Sequence, residues 1–589
     1  MCGIAGLMTR NGTPPDEITL DRLQAALGHR GPDGAGRHGH GDVRMMQTRL
    51  AIIDLKTGDQ PFVHRDPDEP PLALIANGEI YNYRELHQDL APAHFQSASD
   101  CEPPLHLYRR DGAGFAAALR GMYAIAIHDA VTDRLVLSRD PFGIKPLYYV
   151  ETDHLFAFAS EPQALIRAGV VEARENAASL HELLQLQFTC GRDTAFAGIR
   201  RVLPGETLVV RAGRIIETHR IEPLPTAGPE AMDETSALAR LDTVLSQSVE
   251  LHQRADVPYG MFLSGGIDSS ALIALMQRLN TEPVRAFTAG FAGTGVPDER
   301  DHARAVAIAA GAKHTEVAFD EADFWRLLPQ VAVAVDDPVA DYAVLPTYKL
   351  AAAVHDAGLK VVLSGEGGDE MFAGYGRYRR AARPRIFGGR AMRATGQFDG
   401  LGVLREADMG WRRALNETEQ ALPASLSGLQ RAQAADCTHW LPNDLLTKLD
   451  RCLMAHGVEG RVPFVDPAVA NFAFALPDKL KVKGRLGKWL LRQWLQSALP
   501  VSQAMSRKRG FSVPVGEWIA GRGKDLGELV ARQPAIQRHC HPDAVRVLFR
   551  STGKRQGQAQ WTLLFFALWH GHYFHGKAAG GDVFDVLAA

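Results

Sequence analysis

The chain has 589 residues with 46% hydrophobic and 23% charged side chains, a formal net charge of −3 and a pI near 6.8. This length and composition predict two or three packed globular domains, and they exclude a disordered or fibrous chain. Dispersed basic residues, six widely spaced cysteines and the lack of a signal segment or long apolar run predict a reduced cytoplasmic protein without nucleic-acid or membrane partners.

The chain begins with a possible nucleophile. If Met1 is removed, Cys2 carries both a thiol and a free α-amine. An α-amine titrates near ~8 and a thiol near ~8.5, so the amine can take the thiol proton directly or through water. Because a second-position cysteine is also a common small buried hydrophobe, this pattern alone leaves both interpretations open.

The first part of the chain reads as short β-strands. The pattern predicts packed antiparallel sheets, little helix between the strands, and covering helices at 83–90 and 162–168. A loop rich in Gly, Pro and Asp, 29–34, interrupts the strands and is typical of an ordered functional loop. The predicted strands are 44–54, 72–80, 123–128, 135–138 and 207–211.

A segment dense in proline and glycine at 222–229 predicts a linker. We therefore expect a first domain at 1–221, a linker at 222–235 and a second domain at 236–589. After the linker, strands and helices alternate, which is typical of a doubly wound parallel sheet that binds ligands at the carboxyl ends of its strands. The predicted elements are helices 236–254, 270–279 and 301–310, strands 258–263, 284–289, 314–318 and 360–363, and two further helices before the last strand.

The first strand of this sheet leads into a loop suited to phosphate. Glycines let the backbone approach an anion, hydroxyls and backbone N–H groups donate to phosphate oxygens, and the next helix adds its positive end. Asp268 would repel phosphate unless a divalent cation lies between them, which indicates Mg²⁺. For this loop, a serine- and glycine-rich helix cap is the structural alternative. We expect Leu263 and Ala289 to contact adenine, and plain core packing is the alternative for these two residues. The predicted loop residues are Leu263, Ser264, Gly265, Gly266, Asp268, Ser269 and Ser270.

Seven N-terminal motifs lie at 1–6, 29–34, 48–54, 77–82, 99–102, 139–149 and 158–161. In this order they closely resemble the glutaminase domain of the glutamine-dependent asparagine synthetase family. The resemblance implies an αββα sandwich of the N-terminal-nucleophile type, in which Cys2 releases ammonia from glutamine. Asn77 and the Gly78 N–H are suitable donors to the oxyanion, while Arg49, Glu79 and Asp100 complement the charges of free glutamine. Taken singly, Asn77-Gly78 also fits a hairpin turn, Arg49 a sheet-edge ion pair and Asp100 a helix cap.

The loop 263–270 resembles the pyrophosphate loop of the ATP pyrophosphatases, and further motifs resemble the synthetase domain of the asparagine synthetase family. The motif 364–370 implies nucleotide and acyl-adenylate contacts from Ser364, Gly365 and Glu366, with Asp369 beside the metal. The motif 459–466 also matches. In the basic stretch 507–512, Lys508 would neutralise charge as pyrophosphate leaves, and Lys488 is a second basic candidate.

The resemblance implies ATP-dependent conversion of aspartate to asparagine through a β-aspartyl-adenylate, with ammonia from glutamine and with ATP and Mg²⁺ as cosubstrate and cofactor. Because ammonia is easily protonated and lost, we expect an interdomain tunnel; a homodimer is a candidate assembly. An amidotransferase acting on an envelope sugar acid or peptide is the alternative, since the loop 336–341 does not reveal the acceptor. A non-catalytic homologue would have lost Cys2, Asp268 or Lys508, which are present. No role is predicted for 384–429 or for the tail after Arg532.

Overall fold

The computed structural model describes residues 2–64, 70–91, 93–291, 295, 298–383, 389–506 and 513–589. Up to position 221 these residues form two six-stranded antiparallel sheets. The strands are β1 (Gly3–Thr9), β2 (Gly34–His40), β3 (Val43–Arg49), β4 (Phe62–His64), β5 (Leu72–Ile80), β6 (Gly121–Asp129), β7 (Arg134–Arg139), β8 (Tyr148–Glu151), β9 (Leu155–Ala159), β10 (Arg200–Arg201), β11 (Glu206–Arg211) and β12 (Arg214–Arg220). The helices are α1 (Glu17–Leu27), α2 (Tyr83–Asp89), α3 (Pro103–Asp111), α4 (Pro162–Arg167) and α5 (Ala177–Leu186).

The two sheets pack face to face between helical layers. One sheet has the order β10-β8-β9-β1-β3-β2 and the other β12-β11-β7-β6-β5-β4. Side chains alternate along β1, so that Ile4 and Met8 face the second sheet while Ala5 and Leu7 pack toward α1. Helices α2 and α3 cover the outer face of the second sheet. The predicted αββα sandwich is therefore confirmed.

Two details of the N-terminal prediction are wrong. The strand predicted at 44–54 ends at Arg49, because the buried apolar residues that follow lie in an irregular segment before a turn, in which Asp54 has a φ of +51°. Helices α3 and α5 also occupy stretches that the sequence suggested would hold little helix. Burial of apolar side chains alone does not distinguish a strand from an ordered turn.

The second part of the chain is built on a five-stranded parallel sheet. Its strands are β13 (Tyr259–Phe262), β14 (Arg285–Gly290), β15 (Lys313–Ala318), β16 (Val361–Leu363) and β17 (Glu459–Arg461), in the order β15-β14-β13-β16-β17. Because the order reverses at β13, the carboxyl ends of β13 and β16 flank a crevice. The predicted doubly wound parallel sheet is confirmed. A small hairpin contains β18 (Val482–Lys483) and β19 (Leu486–Gly487).

Helices surround this sheet and form a C-terminal helical part. Among the described residues, none of these helices is both long and apolar enough to cross a bilayer. The helices are α6 (Glu234–His252), α7 (Ile267–Leu279), α8 (Arg300–Ala309), α9 (Glu321–Ala334), α10 (Val344–Asp356), α11 (Gly368–Met371), α12 (Gly376–Ala381), α13 (Arg413–Ala421), α14 (Gly428–Thr438), α15 (Thr447–Met454), α16 (Pro467–Ala475), α17 (Asp478–Lys481), α18 (Trp489–Ala498), α19 (Val515–Gly521), α20 (Gly523–Ala531), α21 (Pro534–His539), α22 (Pro542–Phe549), α23 (Lys554–His575) and α24 (Val583–Ala588).

The two parts of the chain share one continuous apolar core and a charged interface. Between β12 and α6, residues 221–233 form neither helix nor strand. Buried charges that meet across the interface are nearly all paired, as burial of ionised groups requires. The principal pairs are Arg30–Asp450, Arg461–Glu79, Arg201–Asp337 and Arg120–Asp466.

The tail holds a loop of the second domain in place. Helix α23 donates the indole N–H of Trp561 to the carbonyl of Ala340 at 2.7 Å and that of Trp569 to the carbonyl of Asp336 at 3.3 Å. Both acceptors belong to the loop 336–341. The tail after Arg532, for which the sequence predicted no role, therefore supports this loop.

Candidate functional site

The Cys2 thiol lies in a buried site at the start of β1, and the residue is 7% exposed. Its backbone N–H donates to Oδ1 of Asn77 at 3.0 Å, and its carbonyl accepts a hydrogen bond from Nε of Arg30 at 3.2 Å. Burial raises the pKa of the Cys2 thiol, while a backbone hydrogen bond from Leu50 and the charge of Arg49 lower it. The backbone of Cys2 is thus held on both sides.

Asn77 and Gly78 lie inside β5, so the alternative of a hairpin turn does not apply. The Asn77 side chain is fully buried, and it links the two sheets because its Oδ1 accepts a hydrogen bond from the Cys2 N–H. Its Nδ2 has no hydrogen-bond partner in the described part of the chain. Such a buried donor is costly unless a ligand satisfies it. A Cβ at Gly78 would lie 2.1 Å from the carbonyl oxygen of Met122, so only glycine fits here.

The three predicted glutamine-binding charges, Arg49, Glu79 and Asp100, lie around this pair, and each already has a partner within the protein. Arg49 binds Asp59 at 2.6 Å and the carbonyls of Ile53 and Asp54. Asp100 accepts the backbone N–H of Ile80 at 2.8 Å, and burial raises its pKa to about 6. Asp100 is not a helix cap, since α3 begins after Glu102.

The second domain contributes a charge to this site. Nη2 of Arg461 in β17 lies 3.0 Å from Oε1 of Glu79, while Oε2 of Glu79 has no hydrogen-bond partner among the described residues. Burial raises the pKa of Glu79. Arg461 also binds Glu459 at 2.6 Å, and despite burial it lowers the pKa of that carboxyl to about 2. Periodicity could not have revealed this interdomain contact.

A second interdomain contact lies behind Cys2. Arg30 is fully buried and binds both oxygens of Asp450 in α15, at 2.9 and 3.1 Å, and Glu161 at 2.7 Å. Asp450 in turn binds Arg451, which reaches Asp336 at 2.6 Å. The backbone of the candidate nucleophile therefore depends on a helix of the second domain.

The second candidate site is a cavity of about 560 Å³ at the ends of β13 and β16. The loop after β13 is folded by its own hydroxyls: the Ser264 N–H donates to Oγ of Ser269, and the Gly266 N–H donates to Oγ of Ser264, each at 3.2 Å. Gly265 has a φ of +70°, which favours glycine. Helix α7 starts next to this loop, so its free N–H groups border the cavity.

The loop after β16 forms the opposite wall. A Cβ at Gly368 would lie 2.4 Å from Oδ1 of Asp268, so the two loops meet too closely for a side chain there. Lys488, 2% exposed and with a φ of +57°, contacts Oδ2 of Asp268 and lies 2.7 Å from Oδ1 of Asp369. Burial lowers the pKa of Lys488, but the two carboxylates raise it overall.

Most of the predicted ATP-site residues line this cavity. Ser270 does not, because it is buried within α7. Lys508 lies outside the described residues, so its predicted role stays a prediction. The predicted residues that line the cavity are Leu263, Ser264, Gly265, Gly266, Asp268, Ser269, Ala289, Ser364, Gly365, Glu366 and Asp369.

The carboxylates of this cavity are suited to a metal ion that also binds phosphates of the substrate. In the described ranges, no three His, Cys, Asp or Glu side chains form a metal site by themselves. Asp268 and Asp369 nevertheless converge on one point, the Nζ of Lys488. Mg²⁺ usually binds one or two carboxylates together with substrate phosphates, so this pair fits it.

Comparison with protein families accounts for both sites. Residues 1–220 match the glutamine amidotransferase domain family, and residues 240–571, more than half of the chain, match the asparagine synthase family. The chain belongs to the asparagine synthase family.

Relatives within the asparagine synthase family match nearly the whole chain. Asparagine synthetase (glutamine-hydrolyzing) 1 of Bacillus subtilis is 30% identical and covers 97% of this chain and 96% of its own length. Asparagine synthetase B (glutamine-hydrolyzing) of Escherichia coli is 28% identical over 91% of this chain and 86% of its own. A solved structure titled as the allosteric regulatory enzyme of purine biosynthesis aligns with a TM-score of 0.30 at 18% identity, covering 54% of this chain and 80% of that one.

Proposed function

We propose that this protein converts aspartate to asparagine with ATP, using ammonia from glutamine hydrolysis at Cys2. One observation carries the proposal: a buried thiol beside an unpartnered amide donor and a cavity walled by phosphate-type loops occur in one chain of this family. The names of the relatives favour aspartate over a sugar acid or peptide as acceptor. We assign hydrolysis to residues 1–221, the linker to 222–235 and synthesis to 236–589.

In the first domain, the thiolate of Cys2 attacks the side-chain amide carbon of glutamine. The carbonyl oxygen becomes an oxyanion that accepts from the Asn77 amide and the Gly78 N–H. The α-amine of Cys2 gives the proton that it took from the thiol to the amide nitrogen, which leaves as ammonia, and water then hydrolyses the thioester to glutamate. Glu79, through its open Oε2, and Asp100 hold the α-ammonium, while Arg49 exchanges Asp59 for the α-carboxylate. This route requires removal of Met1, which lies outside the described residues.

In the second domain, the β-carboxylate of aspartate attacks the α-phosphorus of ATP and pyrophosphate leaves. Ammonia then attacks the acyl-adenylate carbon and AMP leaves. Among the described residues, Lys488 is suited to stabilise the departing pyrophosphate, because its ammonium lies in the wall of the cavity beside Asp268 and Asp369. The sequence left Lys488 secondary to Lys508, since a single lysine before a helix carries no distinctive signal.

We propose that Asp268 and Asp369 hold Mg²⁺ with the phosphates of ATP. When bound, the ion would offset phosphate charge as pyrophosphate departs. In the protein alone, Lys488 keeps the two carboxylates paired and close together.

Product analysis tests the proposal. We expect aspartate, glutamine and ATP to yield asparagine, glutamate, AMP and pyrophosphate, with ammonium salts able to replace glutamine. Omission of aspartate should stop pyrophosphate release while glutamine hydrolysis continues. Absence of asparagine from the complete mixture would refute aspartate as the acceptor.

We also propose a cytoplasmic location, which the six buried free cysteines support. The homodimer and the ammonia tunnel stay predictions. Size measurement in solution tests the first. Isotope dilution tests the second, because full exchange of glutamine-derived nitrogen with bulk ammonia would contradict a tunnel.

A further inference from the structure

The wall of the ATP cavity contains a carboxyl group, that of Glu370, which makes no ion pair with the described residues. Lys448 is paired with Asp341 at 3.0 Å and with Glu366 at 3.3 Å. Glu370, on α11, also lines the cavity and is 1% exposed. Its Oε1 has no hydrogen-bond partner within the described chain, and no Lys, Arg or His of that part lies within salt-bridge distance of it.

The surroundings of Glu370 favour the binding of a positively charged group of a ligand. The Glu370 carboxyl is buried, and the like charge of Asp369 acts on it. A ligand ammonium beside Oε1 would supply a positive charge there. The ammonium also supplies the donor that Oε1 lacks.

A donor for an anion lies on the same stretch of wall. The guanidinium of Arg377 stacks over the Tyr375 ring with its Cζ 3.8 Å from the centroid. Its Nε and Nη2 bind Oδ2 of Asp436 at 2.9 and 2.7 Å, which leaves Nη1 without a hydrogen bond in the described chain. The indole N–H of Trp440, which also lines the cavity, likewise has no partner there. These groups fit a carboxylate.

We propose that Glu370 and Arg377 form a subsite for the α-ammonium and the α-carboxylate of the acceptor. The cavity then selects an α-amino dicarboxylic acid and rejects molecules that lack either group. This inference rests on the proposed function and adds the residues that choose the acceptor. Rejection follows because a smaller analogue leaves a buried charged group unpaired.

Two analogues of aspartate test the two halves separately. Succinate lacks the amino group, and β-alanine lacks the α-carboxylate. Pyrophosphate release with ATP and ammonium chloride gives kcat/KM for each acid. We expect the unmodified enzyme to prefer aspartate over either analogue by a factor of about 10³ or more, as in sites built to bind a polar group of the substrate.

The two variants should produce a crossed pattern, in which each variant loses the discrimination against one analogue and keeps it against the other. Glu370→Gln should lower kcat/KM for aspartate about 100-fold, leave that for succinate unchanged, and still reject β-alanine. Arg377→Lys should weaken use of aspartate and succinate but leave β-alanine unchanged. The KM for ATP and the rate of glutamine hydrolysis should stay within about twofold, which shows that both variants are folded.

Glu182→Gln is the matched control. Burial raises the pKa of Glu182 to about 7, but this residue is not part of the cavity wall. It should keep the full preference for aspartate. If Glu370→Gln keeps the full preference for aspartate over succinate, or if Glu182→Gln loses that preference as well, the subsite is wrong. An unmodified enzyme that is inactive on aspartate overturns both this inference and the proposed function, whereas activity without the crossed pattern overturns the subsite alone.

Discussion

Replacement of Asn77 by aspartate tests the oxyanion site most directly. Asn77→Asp keeps an oxygen that can accept from the Cys2 N–H at 3.0 Å but replaces the buried Nδ2 donor with a carboxylate oxygen. Loss of one such donor costs about 2.7 to 4 kcal/mol of transition-state stabilisation, or about 10² to 10³ in kcat. We expect this loss in glutamate release from glutamine, while ammonia-dependent asparagine formation stays within about twofold.

The assay should be run at pH 8, above the pKa of about 6 to which burial raises Asp100, so that Asp100 is ionised in both proteins. Asn82→Asp is the matched control, because the Asn82 amide binds the backbone of Ala118 and Arg120 instead of facing the thiol. It should change stability more than kcat. A loss of less than about threefold in Asn77→Asp would refute the oxyanion role.

Three further outcomes are expected. Cys2→Ala should abolish glutamine-dependent asparagine formation and retain ammonia-dependent formation; loss of both would undermine the two-site assignment. Lys488→Met should lower pyrophosphate release with either nitrogen source about 10²- to 10³-fold without slowing glutamine hydrolysis, and the exposed Lys479→Met should change neither. The KM for glutamine should rise as the pH falls below about 6, because Asp100 becomes protonated and loses its attraction for the ammonium; a similar rise in Asp100→Asn, measured by glutaminase initial rates, would contradict this cause.

Local patterns predicted the elements of the fold well. Strand β5 runs over the predicted residues 72–80, and α7 and β14 lie close to their predicted positions. These elements have a regular apolar period and clear turn residues at their ends. The strand predicted at 44–54 was too long because Leu50 and Ile52 are buried for a different reason: they pack under a turn.

The residues of the two sites were predictable only where they fall within motifs. The phosphate-type loop could be argued from its glycines, hydroxyls and Asp268, because neighbouring residues in the chain act together there. Lys488 reaches Asp268 from a distant helix start, and its left-handed backbone leaves no trace in the sequence. Glu370 likewise stands out only once the structure shows that its carboxyl is buried without a cation.

The ion pairs that Arg461 and Asp450 make across the interface determine when, during synthesis of the chain, the glutamine pocket can be completed. A ribosome delivers Glu79 and Arg30 long before it delivers these partners, and a buried charge without its partner is strongly destabilising. We therefore expect the nascent first domain to hold an incomplete glutamine pocket until α15 and β17 have emerged and docked. An unfinished chain would therefore not hydrolyse glutamine, because the second domain, which consumes ammonia, must be present before the glutamine pocket of the first domain is complete.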